Sequence, residues 1–164
     1  IEEYLIIYEK LKKISSDIEF SSDFIIGYPG ESDDDFKYTM ELIDKIRFTN
    51  SYSFIFSPRP GTVAADLELV DKKKSKGRLE IIQKKLFENQ INKNKSLEGK
   101  ILNVLVENKM KDGIKLFGRT EYMTSVIFDG NIDCIGKIVQ IEIISSNQNS
   151  LFGTLKENYK QKVA

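Results

Sequence analysis

Histidine and tryptophan are absent from these 164 residues, and cysteine occurs once, as Cys134. A single cysteine excludes an internal disulfide and any cysteine cluster. Without histidine a zinc site would have to be built from carboxylates, so the chain on its own offers no plausible transition-metal centre. Cys134 reads as a small apolar residue rather than a nucleophile, because no histidine accompanies it. Proline is scarce as well, with Pro29, Pro58 and Pro60 confined to two short turns. No apolar run approaches the length that crosses a bilayer, so no membrane partner is expected and the expected location is cytoplasmic. The chain opens on Ile1 with no charged-then-apolar leader, which leads to the expectation of no secretory signal and of a piece of a longer protein.

What is present is charge, unevenly spread. Residues 1 to 71 carry 7 Lys/Arg against 15 Asp/Glu, residues 72 to 100 carry 10 against 3, and residues 101 to 164 carry 8 against 7, for a net charge of zero. An acidic start and a basic middle suggest two units with different tasks. The Lys-rich middle reads either as a solvated helix face or as a surface for a polyanion such as RNA backbone.

The chain is organised around Asp23-Phe24-Ile25-Ile26-Gly27-Tyr28-Pro29-Gly30-Glu31-Ser32. Phe24, Ile25 and Ile26 are apolar without alternation, the pattern of a strand buried on both faces of a helix-covered parallel sheet. Gly27 to Gly30 then turn the chain, and Ser32 is a natural N-cap with Asp33, Asp34 and Asp35 in the first helical turn. Ligands of α/β proteins bind beside such turns, at the carboxyl ends of strands.

Around this segment, Tyr4, Ile7, Tyr8, Leu11 and Ile14 predict a helix over residues 2 to 14, and Phe36, Met40, Ile43 and Ile46 a second one ending near residues 48 to 50. Ser51 to Phe56 read as a second strand. Two strands cannot form a stable sheet, so the expected partners lie upstream of Ile1. The turn Ser57-Pro58-Arg59-Pro60-Gly61-Thr62 places Arg59 where it could meet a carboxylate or phosphate, or pair with a neighbouring acid. Residues 71 to 95 predict a long basic helix with Leu79, Ile82, Leu86, Phe87 and Ile91 as its apolar stripe. Gly77 is a weak point within it, costing about 1 kcal/mol relative to Ala.

From Gly99 the apolar period switches to two. Residues 101–106, 114–117, 125–128, 137–144 and 151–155 read as five short strands separated by Asp112-Gly113, Asp129-Gly130-Asn131 and Asn147-Gln148-Asn149. Five strands in so short a span suggest a small closed barrel of the oligonucleotide-binding type. The expected organisation is therefore α/β, as the last part of a partial parallel βα barrel over 1–70, then a basic linker helix over 71–98. An all-β five-stranded barrel over 99–158 and a tail over 159–164 complete it.

The strand-turn wording of residues 23–32, with Ser51-Tyr52-Ser53-Phe54-Ile55-Phe56-Ser57-Pro58-Arg59-Pro60-Gly61-Thr62 and Ala64-Ala65-Asp66, resembles the end of the radical S-adenosylmethionine barrel of the methylthiotransferase family. Residues 99–156, with Gly118-Arg119-Thr120-Glu121, Phe128-Asp129-Gly130, Gly136-Lys137 and Asn149-Ser150-Leu151-Phe152-Gly153, resemble that family's TRAM domain. The Arg-Pro-Gly-Thr turn looks most like the branch that adds a methylthio group to carbon 2 of N6-isopentenyladenosine next to the tRNA anticodon. The branch that modifies a ribosomal-protein aspartate is the alternative, and a non-catalytic RNA-binding module, or a barrel serving only as a lid, lies outside both.

The resemblance implies S-adenosylmethionine and two 4Fe-4S clusters in a full-length protein, with all cluster ligands outside this chain, so that this segment alone is expected to be inactive. It implies tRNA, a sulfur donor and an electron donor as partners. No catalytic or metal-ligating residue is assigned within the segment. By the same resemblance, Ile26, Gly27, Tyr28 and Pro29 would line the cofactor's adenosine, and Glu31 would either meet a ribose hydroxyl or serve as a helix-start acid. Ser57 and Arg59 would face the substrate opening. Arg119 and Lys137 would meet RNA phosphates, and Phe117 and Phe152 would stack on bases unless they belong to the barrel core.

Overall fold

A helix-covered pair of strands begins the chain: α1 (Glu2–Ile14), β1 (Asp23–Ile26), α2 (Asp33–Ile46), β2 (Tyr52–Ile55), a short 3-10 turn at Val63–Asp66, and α3 (Lys72–Lys95). The computed structural model describes residues 1–111 and 113–156, and these fall into two units that divide between Asn89 and Gln90, within α3.

In the first unit β1 and β2 pair in parallel, from Asp23 opposite Tyr52 to Ile26 opposite Ile55. Phe24, Ile26, Ile43, Ile46, Phe48, Ile82 and Leu86 form the core, with Leu5 and Tyr8 of α1 packed against it. α2 starts as its sequence dictates. The Ser32 hydroxyl accepts the Asp35 N–H at 3.1 Å while the Asp35 carboxylate accepts the Ser32 N–H at 2.9 Å, a reciprocal cap that satisfies two otherwise orphaned donors. The helix stops at Ile46, short of the expected 48–50, because Arg47 adopts a left-handed conformation (φ 57°). That reversal sends Phe48 into the core, edge-on to Phe24 at 5.3 Å.

Two expectations are corrected here. β1 is not buried on both faces: Phe24 and Ile26 are buried, but Ile25 is 57% exposed. Helices cover one face of the two strands, so strand alternation reappears, and Ile25 pairs with an equally open Phe54 on the other face. The apolar stripe of α3 is also shorter than expected. Ile82 and Leu86 are buried and Leu79 packs against the core as expected, and Ser75, Arg78 and Asn94 are buried as well, whereas Phe87 and Ile91 are exposed.

The second unit is a closed barrel of β3 (Ile101–Lys109), β4 (Lys115–Thr120), β5 (Ser125–Asp129), β6 (Ile138–Ser146) and β7 (Ser150–Leu155), in the order β3-β4-β5-β7-β6. Neighbours are antiparallel except β5 and β7. All five expected strands are present. β3, β4 and β6 run on past their expected ends, and β3 and β6 each carry a bulge, at Val106/Asn108 and Ile143/Ser145, that bends the strand around the closing barrel. Val104, Val106, Leu116, Val126, Phe128, Val139, Ile141, Ile143 and Leu151 fill the interior with Leu97, and Cys134 packs partly buried against them. Gly118 points inward where two strands approach closely. A Cβ there would lie 2.4 Å from the Leu105 carbonyl oxygen and 2.6 Å from Val104 Cγ1. Asp112 of the expected Asp112-Gly113 turn, the end of the expected barrel at 158 and the 159–164 tail lie outside the described residues.

Candidate functional site

Ile26 ends β1 with its side chain in the core, and its carbonyl accepts the Phe56 N–H at 2.8 Å, which ties the tip of β1 to the residue following β2. The chain then reverses through Gly27 (φ +71°), Tyr28, Pro29 and Gly30, closed by the Glu31 N–H donating to the Tyr28 carbonyl at 2.9 Å. The Gly27 N–H donates to Glu31 Oε2 at 2.8 Å. Glycine is required here twice over: the dihedral is left-handed, and a Cβ would sit 2.3 Å from Ser75 Oγ on α3. Pro29 is buried. Tyr28 is 48% exposed, with its ring edge-on to Phe56 at 5.0 Å.

Glu31 is held from both sides. While Oε2 accepts from Gly27, Oε1 pairs with Arg78 Nη1, and Arg78 is 4% exposed. The same guanidinium donates to the Glu31 carbonyl at 3.2 Å, the Ser32 carbonyl at 2.9 Å and Asp33 Oδ1 at 2.6 Å, with Phe36 against its face at 5.2 Å. Asp33 also bridges to Lys74 at 2.9 Å. The hydrogen bond from Lys74, and then that from Arg78, hold its carboxyl below the ordinary value of 3.8.

Sequence reasoning did not single out Arg78 or Ser75. A signal for them exists. Ser75, Arg78, Ile82 and Leu86 recur at intervals of three and four, so the one arginine in a run of lysines sits on the helix's buried face.

The second turn is open. Ser57 and Arg59 are exposed, and the turn is closed by Thr62, whose N–H and Oγ1 both donate to the Arg59 carbonyl at 3.2 and 2.8 Å. Among the described residues the Arg59 guanidinium has no partner, so the pairing with a neighbouring acid that the sequence left open is not formed.

In the barrel unit, alternation along β4 puts Leu116, Gly118 and Thr120 inside and Phe117 and Arg119 outside. Register then aligns an outer row: Phe117 lies opposite Ile127 on β5, and Ile127 opposite Phe152 on β7. All three are half-buried on the outer surface and do not belong to the interior core. Arg119 stands beside this row, 5.4 Å from the Phe117 ring, and its Nη1 reaches both carboxylate oxygens of Glu107 at 3.1 Å. Lys137 is outside the row, half-buried on the segment leading into β6, with its carbonyl accepting the Val106 N–H at 2.9 Å.

The structure thus gathers the candidates into two groups, each within one unit: the β1 turn braced by α3, and an aromatic-apolar row with a cation at its edge. A cleft of about 690 Å³ in the first unit is lined by residues of α1 and α2, including Leu5, Tyr38 and Leu42, and by none of these candidates. No helix among the described residues is long and apolar enough to cross a membrane.

Comparison with known proteins matches residues 95–156 to the TRAM domain. Across its whole length the chain is 80% identical to a protein of Pelagibacter ubique named tRNA-2-methylthio-N(6)-dimethylallyladenosine synthase, covering 37% of that relative. Proteins of the same name from Ruthia magnifica and Yersinia pestis are 48% and 44% identical over 93% of the chain, which covers 35% and 33% of their lengths. The chain therefore spans about a third of the length of the curated relatives it matches. Over both units, then, the chain is similar to about a third of proteins of that name, and its residues 95–156 match the TRAM domain.

Proposed function

We propose that this chain is the C-terminal part of a tRNA methylthiotransferase that adds a methylthio group to carbon 2 of N6-isopentenyladenosine, next to the anticodon. Its first unit contributes one wall of the S-adenosylmethionine site, and its barrel binds the tRNA. The observation that supports this reading most directly is the 80% identity, spanning both units in one order, to a protein named tRNA-2-methylthio-N(6)-dimethylallyladenosine synthase. S-adenosylmethionine would supply the radical and the methyl group. The 4Fe-4S clusters would be held outside this segment, since Cys134 is its one cysteine.

The residues fit such roles. The exposed ring of Tyr28 just past the carboxyl end of β1, and Ile25 and Phe54 open on the uncovered face of the two strands, offer apolar surface suited to an adenosine. Ile26, Gly27 and Pro29 contribute the backbone that shapes that edge, and Glu31 supports it from behind through the Gly27 amide. Arg59, unpaired among the described residues, and Ser57 stand in the adjoining turn, where a phosphate or carboxylate would be recognised.

On the barrel, Phe117 and Phe152 with Ile127 between them make a surface on which unstacked bases can lie, and Arg119 and Lys137 supply charge for the backbone. A sulfur donor, an electron donor and a cytoplasmic setting complete this reading.

The test uses the full-length enzyme with reconstituted clusters and tRNA carrying N6-isopentenyladenosine, with the modified nucleoside read by mass spectrometry. Gain of the methylthio mass is the expected result. Modification of a ribosomal-protein aspartate instead, or tRNA binding without any modification, would overturn it. Phe117→Ala with Phe152→Ala is expected to weaken tRNA binding by the loss of about 1–3 kcal/mol per stacked base.

A further inference from the structure

We propose that Arg78 is a positioning residue for the Gly27–Ser32 turn, acting from α3 through Glu31, and, on the functional reading above, that it thereby sets the enzyme's affinity for S-adenosylmethionine. Arg78 is almost completely buried, at 4% exposure, and every polar contact of its guanidinium among the described residues falls on three consecutive residues, Glu31, Ser32 and Asp33. A buried cation that spans two carboxylates and two carbonyls fixes their spacing in a way that a flexible lysine cannot.

The effect travels one bond further. Glu31 presents one carboxylate oxygen to Arg78 and the other to the Gly27 N–H at 2.8 Å. Gly27 is in turn pressed against Ser75, one helical turn before Arg78, leaving no room for even a Cβ. The turn is thus clamped by one face of α3, by contact at Gly27 and by charge at Glu31. Glu31 is directed at the turn's own backbone, which makes it a support behind the edge rather than a group facing out of it.

The experiment compares the full-length enzyme with its Arg78→Lys, Glu31→Gln and double variants. Hydrogen exchange of the peptide covering residues 24–32 and the dissociation constant for S-adenosylmethionine are both measured, with a peptide covering 115–129 as the exchange control. Arg78→Lys keeps a charge but loses the fork, so it retains the fold where Arg78→Ala would leave Glu31 unpaired. The expected result is faster exchange in 24–32 with the control unchanged, and S-adenosylmethionine affinity lowered by roughly tenfold, as for loss of a charge-assisted hydrogen bond. The double variant should show clearly less than the sum of the two single effects, because the substitutions share the Arg78–Glu31 contact.

Unchanged exchange in 24–32, or additive effects of the two substitutions, would overturn the proposal. Faster exchange with undiminished S-adenosylmethionine affinity would support the clamp and instead overturn the assignment of this turn to the cofactor.

Discussion

The side-chain amide of Asn94 donates to the carbonyls of both Asn147 and Gln148, at 2.8 and 2.9 Å, and so fastens the last turn of α3 to the β6–β7 hairpin. Asn94 is fully buried, and its own oxygen accepts from Gln90 Nε2 at 3.0 Å, which fixes which way the amide points. Replacement by Asp would turn the donating end into an acceptor facing two carbonyls. Asn94→Ala is expected to weaken this closure by about 1–3 kcal/mol, since the partners lose both bonds in a poorly hydrated place. Amide exchange at residues 147–151 in the full-length protein checks it and should accelerate by about 5- to 150-fold.

Gly118 carries a sharper prediction. The Cβ of Gly118→Ala would meet a backbone carbonyl at 2.4 Å, and a carbonyl held in a strand ladder cannot yield as a side chain would. The substitution is expected to destabilise the barrel by about 1–3 kcal/mol, as overpacking does, with no effect on charge. A thermal melt read on the barrel's own transition should show the midpoint falling; an unchanged midpoint would mean that β3 and β4 separate readily.

The Glu107 carboxylate competes with any phosphate for Arg119. On the proposed function, Glu107→Gln should tighten tRNA binding at low salt and steepen its salt dependence by about one counterion, and adding Arg119→Ala should cancel both changes. Binding titrations at several salt concentrations measure this. A slope that does not move in Glu107→Gln would remove Arg119 from the RNA contacts.

The start of α2 gives the pH behaviour. Asp33 is held below its ordinary value of 3.8 by the hydrogen bond from Lys74 and then by that from Arg78, and Asp35 is held below the same value by its hydrogen bonds from the Ser32 hydroxyl and N–H. A carboxyl whose folded value is depressed stabilises the fold above its unfolded value and loses that contribution as pH falls through the folded one. The contribution of both is therefore complete above about pH 4 and disappears on acidification below it. Carbon-detected titration of the two side chains should give midpoints under 3.8, and Lys74→Ala should move that of Asp33 upward while leaving Asp35 in place.

Local interactions made much of this legible from sequence. The Ser32 cap, helix α1 over 2–14 and the five barrel strands follow from neighbours one to four residues apart, whose spacing sets period and start. The turn at Gly27 was visible for the same reason. Its purpose was not, because Ser75 and Arg78 lie some fifty residues away and reach it only when α3 packs on the sheet. Register between strands was equally hidden: alternation alone could not tell whether Phe117 and Phe152 face in or out.

The sequence by itself therefore determined the elements, their order and the resemblance to known synthases, because these depend on short-range periodicity and on motifs spread over both units. Only the tertiary structure decided that Ile25 stands open while Ile26 is buried, that Arg78 rather than solvent holds Glu31, and that Phe117, Ile127 and Phe152 form one outer row. Each of these depends on which face another element covers, and that is fixed by long-range packing, to which local spacing carries no signal.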